Sequence, residues 1–178
     1  MTIDDIIRSN TDAVSKTEKA YQNIYKMRNK ALMNMFVRQS TVHKNQYVAT
    51  ICGVSFFDDA FALSPNATWF TFYQSTSSVV WILENLGDSD IDFSEQLDVI
   101  KDKVEQIVII DSEHGAGINT EQLRKVSNVS VVSSMKEAVE HAYHIAAKDM
   151  AVIYSPASGI PETAQERAKE FSKNVHSL

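Results

Sequence analysis

Three short apolar runs decide the fold: Val104-Glu105-Gln106-Ile107-Val108-Ile109-Ile110, Val129-Ser130-Val131-Val132-Ser133 and Met150-Ala151-Val152-Ile153-Tyr154. Each run is rich in β-branched residues and nearly free of charge, which is typical of strands buried on both faces of a sheet. Met135 to Ala147 predicts a helix, because its apolar residues recur at intervals of three and four. Strands that alternate with helices predict βαβ units and a parallel sheet. The stretch 104–156 is therefore predicted to be doubly wound α/β.

Composition and charge limit the partners of the chain. The 178 residues leave room for one ordinary domain and an appendage. The net charge of −6 argues against binding to nucleic acid or to an anionic membrane, and no apolar run approaches the ~20 residues of a membrane span. The N-terminus is acidic where a signal peptide would be basic. The single cysteine, Cys52, lies in a strand-like run that would bury it and cannot form an internal disulfide. A reducing, cytoplasmic location is expected.

Residues 1–45 predict an N-terminal helical arm ahead of an α/β domain at 46–178. The first 40 residues contain no Gly and no Pro and many good helix formers. Their apolar residues lie mostly along one stripe but fit a coiled-coil heptad poorly. The arm either packs on its own domain or pairs between chains, and we expect a homodimer through it.

The remaining elements can be placed in chain order. The sequence predicts a hairpin of strands 47–51 and 54–57 with its turn at Cys52-Gly53, a helix opened by Pro65, a buried strand at 78–83, a helix at 95–103 capped by Ser94, and a last helix from Pro161 to about Val175.

Ligands of open α/β sheets bind outside the carboxyl ends of the strands, where this chain places several polar residues. His114-Gly115-Ala116-Gly117 follows a strand and precedes a helix, which is where a phosphate loop would lie. It lacks a third glycine and a P-loop lysine, so a plain βα turn is the commoner explanation. A nucleotide site, if present, would use Asp59, Asp111 and the loop at His114.

Glu137, Glu140, His141 and His144 share one face of a predicted helix. Three such groups could bind zinc. Two acids beside two histidines are more often a solvent-exposed face, so no metal site is predicted and a zinc protein is the weakest of the hypotheses.

Two further stretches carry a family resemblance. Residues 58–65 read Asp-Asp-Ala-Phe-Ala-Leu-Ser-Pro, and a later stretch reads Tyr154-Ser155-Pro156-Ala157-Ser158-Gly159-Ile160. In order and spacing they resemble the C-terminal domain of the Mur ligases, in particular the D-glutamate-adding ligase of peptidoglycan synthesis, whose phrases are Asn-Asp-Ser-Lys-Ala-Thr-Asn-Pro and Leu-Ser-Pro-Ala-Cys-Ala-Ser. Asp92-Phe93-Ser94 and Glu166-Arg167-Ala168 match two more phrases of that family. The resemblance covers about 46–175 and implies a Rossmann-like, mostly parallel sheet of about six strands with one antiparallel edge strand.

The resemblance also implies where ligands would bind. The family's nucleotide- and amino-acid-binding lysine and threonine fall on Phe61 and Leu63, its carboxylate-binding lysine on Ser89, and a substrate-binding serine on Ile160. Asp59 and Ser155 are retained. A dicarboxylate needs cationic and hydroxyl donors, and Phe61 and Leu63 supply none.

Where the family has its UDP-sugar and ATP domains, this sequence has the 45 residues of the predicted arm, and we expect those domains to be missing. The sequence therefore predicts a stand-alone, non-catalytic binding or interaction module without a cofactor, whose ligand or protein partner is not identified. The alternative is an ATP- and Mg-dependent ligase component, or a nucleotide-binding protein, working in trans.

Overall fold

The computed structural model describes residues 45–87, 90–111 and 117–178. Residues 1–44 of the predicted arm, Ser89 and His114 lie outside these ranges, so the homodimer through the arm stays a prediction. Six strands form one sheet in the order β1-β2-β6-β3-β4-β5. Their bounds are β1 (Gln46–Ile51), β2 (Val54–Asp58), β3 (Val79–Glu84), β4 (Val104–Ile110), β5 (Asn128–Val132) and β6 (Ala151–Tyr154). The helices are α1 (Pro65–Gln74), α2 (Leu97–Lys103), α3 (Thr120–Arg124), α4 (Met135–Ile145) and α5 (Pro161–Val175).

The predicted fold class is confirmed. β1 pairs with β2 in antiparallel register, and every other pairing in the sheet is parallel. The β1–β2 turn is tight because Cys52 and Gly53 both have positive φ, at 50° and 87°, as two-residue hairpin loops require. This turn leaves Cys52 exposed, so the expectation that strand packing would bury it is wrong.

Two apolar clusters cover the two faces of the sheet. One joins Phe56 and Val80 to α4 and α5 through residues such as Phe171. The other is centred on Trp81, whose ring makes edge contacts with Phe72 and Phe93 at centroid distances of 5.0 and 5.3 Å. All six residues of β3 are buried because helices pack on both of its sides. None of the helices in the described ranges has the length and apolar content of a membrane span.

Among the described helices, α1, α3 and α4 begin with a side-chain cap, whereas α2 and α5 do not. Helix α1 begins at Pro65, as predicted, and the Ser64 hydroxyl caps it by accepting a hydrogen bond from Ala67 N. The predicted cap at Ser94 is wrong, because α2 begins at Leu97. The Ser94 hydroxyl donates to Asp92 Oδ2 and its amide to Asp92 Oδ1, so the cap group is used in a turn before the helix.

A buried ion pair fixes α5 to the end of β3. Arg167 Nε donates to Glu84 Oε2 at 2.8 Å and a second guanidinium nitrogen reaches Oε1 at 2.6 Å, while Tyr154 OH donates to Oε2 at 3.0 Å. Arg167 also contacts Glu170 on its own helix. Burial raises the pKa of Glu84, and the Arg167 guanidinium opposes that rise. Because Glu84 is 3% exposed, its charge depends on Arg167.

We expect Arg167→Met to lower the free energy of unfolding by about 3–5 kcal/mol, because it leaves the Glu84 carboxylate buried without its cation. Urea denaturation at neutral pH measures the loss. Lys125→Met, at an exposed helix end, is the control and should change stability by less than about 0.5 kcal/mol. Adding Glu84→Gln to Arg167→Met should recover part of the loss. A cost for Arg167→Met no larger than that of the control would contradict the role of this pair.

Candidate functional site

The carboxyl ends of β2 and β6 bring Asp59 and Ser155 together, two of the residues that the sequence singled out. The amide of Asp59 donates to Tyr154 O at 2.9 Å, which ties the residue after β2 to the end of β6. Two threonines of α1 complete the cluster: Thr71 Oγ1 donates to Asp59 Oδ2 at 2.6 Å, and Thr68 Oγ1 lies 2.7 Å from Ser155 Oγ. We call Asp59, Thr68, Thr71 and Ser155 the buried hydroxyl cluster.

The Asp59 carboxyl group is unusual in its protonation. It is 6% exposed, and burial raises its pKa to about 7, with the negative charge of Asp58 adding to the rise. Hydrogen bonds from Thr71 and Ser155 act in the opposite direction but do not compensate for the loss of hydration. Near neutral pH this group therefore exchanges a proton, as an acid or a base could, but little of it is open to a ligand.

Ser155 is equally enclosed. Its side chain is fully buried and its carbonyl oxygen accepts a hydrogen bond from Trp81 Nε1 at 2.9 Å. The two residues that the family resemblance retains are therefore bonded mainly to their own domain. Sequence reasoning missed Thr68 and Thr71; their spacing of three residues on the helix after Pro65, with both hydroxyls on the face toward Asp59, is the signal that could have indicated them.

The other predicted ligand residues are dispersed. Phe61 and Leu63 are half-buried and pack against the apolar cluster between the sheet and helices α4 and α5. Ile160 is 57% exposed at the start of α5. Asp111 is exposed after β4, where its amide donates to Val132 O at 2.9 Å. The predicted positions thus do not form one ligand-binding group within the described residues.

The crevice between β3 and β6 is where the chain reverses its direction across the sheet, and ligands of doubly wound sheets bind at such a point. Here Ser158 Oγ donates to Asn85 Oδ1 at 2.6 Å and accepts from Leu86 N at 2.8 Å. Gly159 has a φ of 108°, and a Cβ there would lie 2.6 Å from Leu86 Cβ. The two loops therefore close over the crevice in direct contact. The sequence placed both Asn85 and Ser158 among the polar residues at the carboxyl ends of strands but assigned neither of them a ligand role.

A surface cleft of about 400 Å³ lies further along the same edge. Its walls are joined by a parallel bridge between Ile91 and Ile118. Its lining residues are Asp90, Ile91, Asp92, Gly117, Ile118, Asn119 and Gln122. Hydrogen bonds from Ser94 lower the pKa of Asp92, which keeps that carboxylate charged. Among its described lining residues are two carboxylates and no cation, an arrangement poorly suited to an acidic substrate.

The acidic residues of the α4 face that was considered for zinc make contacts within the helix and its first turn. Glu137 Oε2 accepts from Ser133 N at 2.9 Å and from Ser133 Oγ at 2.8 Å, which closes the first turn of α4, and these bonds lower its pKa. Glu140 lies 3.8 Å from Lys136. In the part of the chain that the structure describes, no three His, Cys, Asp or Glu side chains are arranged to hold a metal ion.

The sheet order, the antiparallel edge strand and the closed crevice define a doubly wound, Rossmann-like domain. No family model matches the chain. The UDP-N-acetylmuramoylalanine–D-glutamate ligase of Desulfosudis oleivorans is 34% identical over 147 residues, which are 79% of this chain and 30% of that protein. The enzyme of the same name from Bacteroides fragilis is 27% identical over 149 residues, covering 79% of this chain and 32% of the enzyme.

Among solved structures, the MurF ligase of Thermotoga maritima in complex with ADP is similar to this chain with a TM-score of 0.47 and a sequence identity of 11%. The match covers 78% of this chain and 33% of the MurF chain. The chain spans about a third of the length of the curated relatives that it matches. The relatives in sequence show that it is a Mur-ligase-like α/β domain, in agreement with the C-terminal domain that its sequence resembles.

We expect Asp59→Asn to be more stable than the unmutated protein at pH 8, and we expect this advantage to be smaller at pH 5. The folded protein holds a proton on Asp59 up to pH of about 7, whereas the unfolded chain releases it near the usual value of 3.8. The stability that this group contributes is therefore complete below about pH 4 and is lost as the pH rises through about 7. The difference in unfolding free energy between the variant and the unmutated protein should grow by on the order of 1–3 kcal/mol from pH 5 to pH 8. Asp102→Asn, at an exposed aspartate, serves as the control, and an equal pH dependence in both variants would refute the assignment.

Proposed function

We propose that this chain is a cytoplasmic binding or interaction module built on a Mur-ligase C-terminal-like domain, linked to peptidoglycan precursor synthesis, and that the domain does not itself add D-glutamate. The observation that carries the proposal is the packing of Phe61 and Leu63. Both occupy positions that the resemblance gives to polar ligand-binding residues, and both contact the apolar cluster between the sheet and α4–α5.

Electrostatics at the carboxyl edge supports the proposal. A bound D-glutamate would bring two carboxylates, each of which needs donors that replace its hydration. Arg167 is a cation near this edge, but it is bound to Glu84 and Glu170. Recruiting it to a ligand would leave Glu84 buried and unpaired. The arrangement therefore uses its positive charge to hold α5 and not to bind a substrate.

The contact between the loops after β3 and β6 points in the same direction. Hydrogen bonds between Asn85, Leu86 and Ser158 join these loops, and Gly159 packs against Leu86 so closely that a Cβ at position 159 would clash. A ligand that entered there would first have to separate these loops.

The alternative is a nucleotide-dependent component that completes a ligase in trans with ATP and Mg. Asp59 favours it, since this carboxyl group is retained at the family position and titrates near pH 7. It requires stabilisation by Mg-ATP that Asp59→Ala abolishes. A ligand at a hundred times its dissociation constant would raise the melting temperature by roughly 5–10 °C in a chain of this size.

We expect no thermal shift of the unmutated protein with saturating D-glutamate or UDP-N-acetylmuramoyl-L-alanine. Phe61→Lys should lower stability by about 1–3 kcal/mol, because it places an ammonium group against the apolar cluster, and should still give no shift with D-glutamate. Ile160→Lys makes the same charge change at an exposed position of the predicted site and should be nearly neutral. A D-glutamate-dependent shift in the unmutated protein or in Phe61→Lys would overturn the proposal. A shift with Mg-ATP that Asp59→Ala removes would favour the alternative.

A further inference from the structure

The outer face of α5 carries a charge pattern that the proposed function does not use. Glu162, Glu166, Lys169 and Lys173 follow one another at intervals of four, three and four residues, which places them on a single face of the helix. All four are exposed. We call them the α5 charge stripe.

Within one chain the charges of this stripe are only partly compensated. Glu162 and Glu166 are like charges four residues apart, and so are Lys169 and Lys173; such pairs repel on a helix surface, whereas the opposite charges of Glu166 and Lys169 attract at a spacing of three. None of the four takes part in an ion pair within the described ranges. The helix dipole accounts for acids in the first half and bases in the second. It does not account for their symmetric spacing.

The spacing is self-complementary about one point. The midpoint between Glu162 and Lys173 coincides with the midpoint between Glu166 and Lys169, at the bond between Arg167 and Ala168. If two copies of α5 pack side by side and antiparallel, with a two-fold axis between them at the level of that midpoint, each Glu162 lies opposite Lys173 of the second copy. In the same register, each Glu166 lies opposite Lys169. One symmetric arrangement thus forms four ion pairs and separates the like charges.

The rest of the helix supports such a surface. Ala164, Phe171 and Val175 are buried on its inner side, and Arg167 is bonded to Glu84, so the stripe is held rigidly toward solvent. Two of the large exposed hydrophobic residues lie just beyond its ends: Ile160 is 57% exposed and Leu178 is 41% exposed. An antiparallel partner brings the start of one helix to the end of the other, and with it Ile160 toward the region of Leu178.

We propose that the α5 charge stripe is a docking surface for a second copy of this chain, which binds antiparallel through four reciprocal Glu–Lys pairs. Exposed ion pairs contribute modestly and are screened by salt. The association is therefore weak and depends on ionic strength. It uses neither the carboxyl edge nor residues 1–45, so it stands apart from the proposed function.

Two charge reversals and their mixture test the proposal on the full chain. Glu162→Lys/Glu166→Lys makes the stripe wholly basic, and Lys169→Glu/Lys173→Glu makes it wholly acidic. We expect sedimentation equilibrium to show dimers of the unmutated protein at low salt that dissociate at about 0.5 M NaCl. Each double variant should have a dissociation constant raised roughly tenfold or more, whereas an equimolar mixture of the two should form a heterodimer at least as readily as the unmutated protein. Circular dichroism confirms that the variants are folded.

Arg124→Glu/Lys125→Glu is the matched control for Lys169→Glu/Lys173→Glu, since it reverses two exposed positive charges at the end of another helix with the same change in net charge. It should dimerise like the unmutated protein. Three results would each overturn the proposal: a monomeric unmutated protein at low salt up to about 1 mM, double variants that dimerise like the control, or a mixture that does not associate.

Discussion

The bidentate pair between Glu84 and Arg167 is the interaction on which the carboxyl edge of this domain depends. Glu84 is the last residue of the most deeply buried strand, and a carboxylate there is tolerated only with a cation and further donors. Arg167 supplies the cation from α5, and Tyr154 supplies a hydroxyl from the neighbouring strand. One side chain of the central strand thus sets the position of the last helix and of the end of β6.

That constraint extends to the neighbouring loops. Tyr154 is followed by Ser155, whose carbonyl and hydroxyl groups are bound by Trp81 and Thr68, and then by the loop that reaches Asn85. Asp59 is joined to the same strand end by its amide. Polar residues at the carboxyl end of a parallel sheet usually await a ligand, but most of those described here are bonded to one another. A domain arranged in this way keeps the frame of its relatives while the polar groups of the frame serve its own cohesion.

The sequence predicted the architecture well because the fold depends on patterns that are local. Runs such as 104–110 and 150–154 are apolar enough to be strands buried on both faces, and Pro65 and Pro161 mark helix starts that the structure confirms. The tight turn at Cys52 followed from Gly53, but the exposure of the thiol did not, because burial depends on which face of the turn meets solvent. The predicted cap at Ser94 was wrong for a related reason. A serine can hydrogen-bond to a preceding residue such as Asp92 as well as to the first turn of a following helix, and the conformation of the loop decides between these partners.

The candidate site was harder to predict, because its key property is a set of contacts between distant segments. The family motif indicated Asp59 as a candidate site residue. Its raised pKa, however, comes from burial, and the sequence near position 59 does not predict that burial. Phe61 and Leu63 could be recognised as substitutions but not as parts of an apolar cluster. Helix α5 shows the converse case. Its inner side is fixed by contacts within the domain, and the helix dipole favours acids before bases on its outer side. The symmetric spacing of those charges is what the proposed antiparallel pairing of two copies would use.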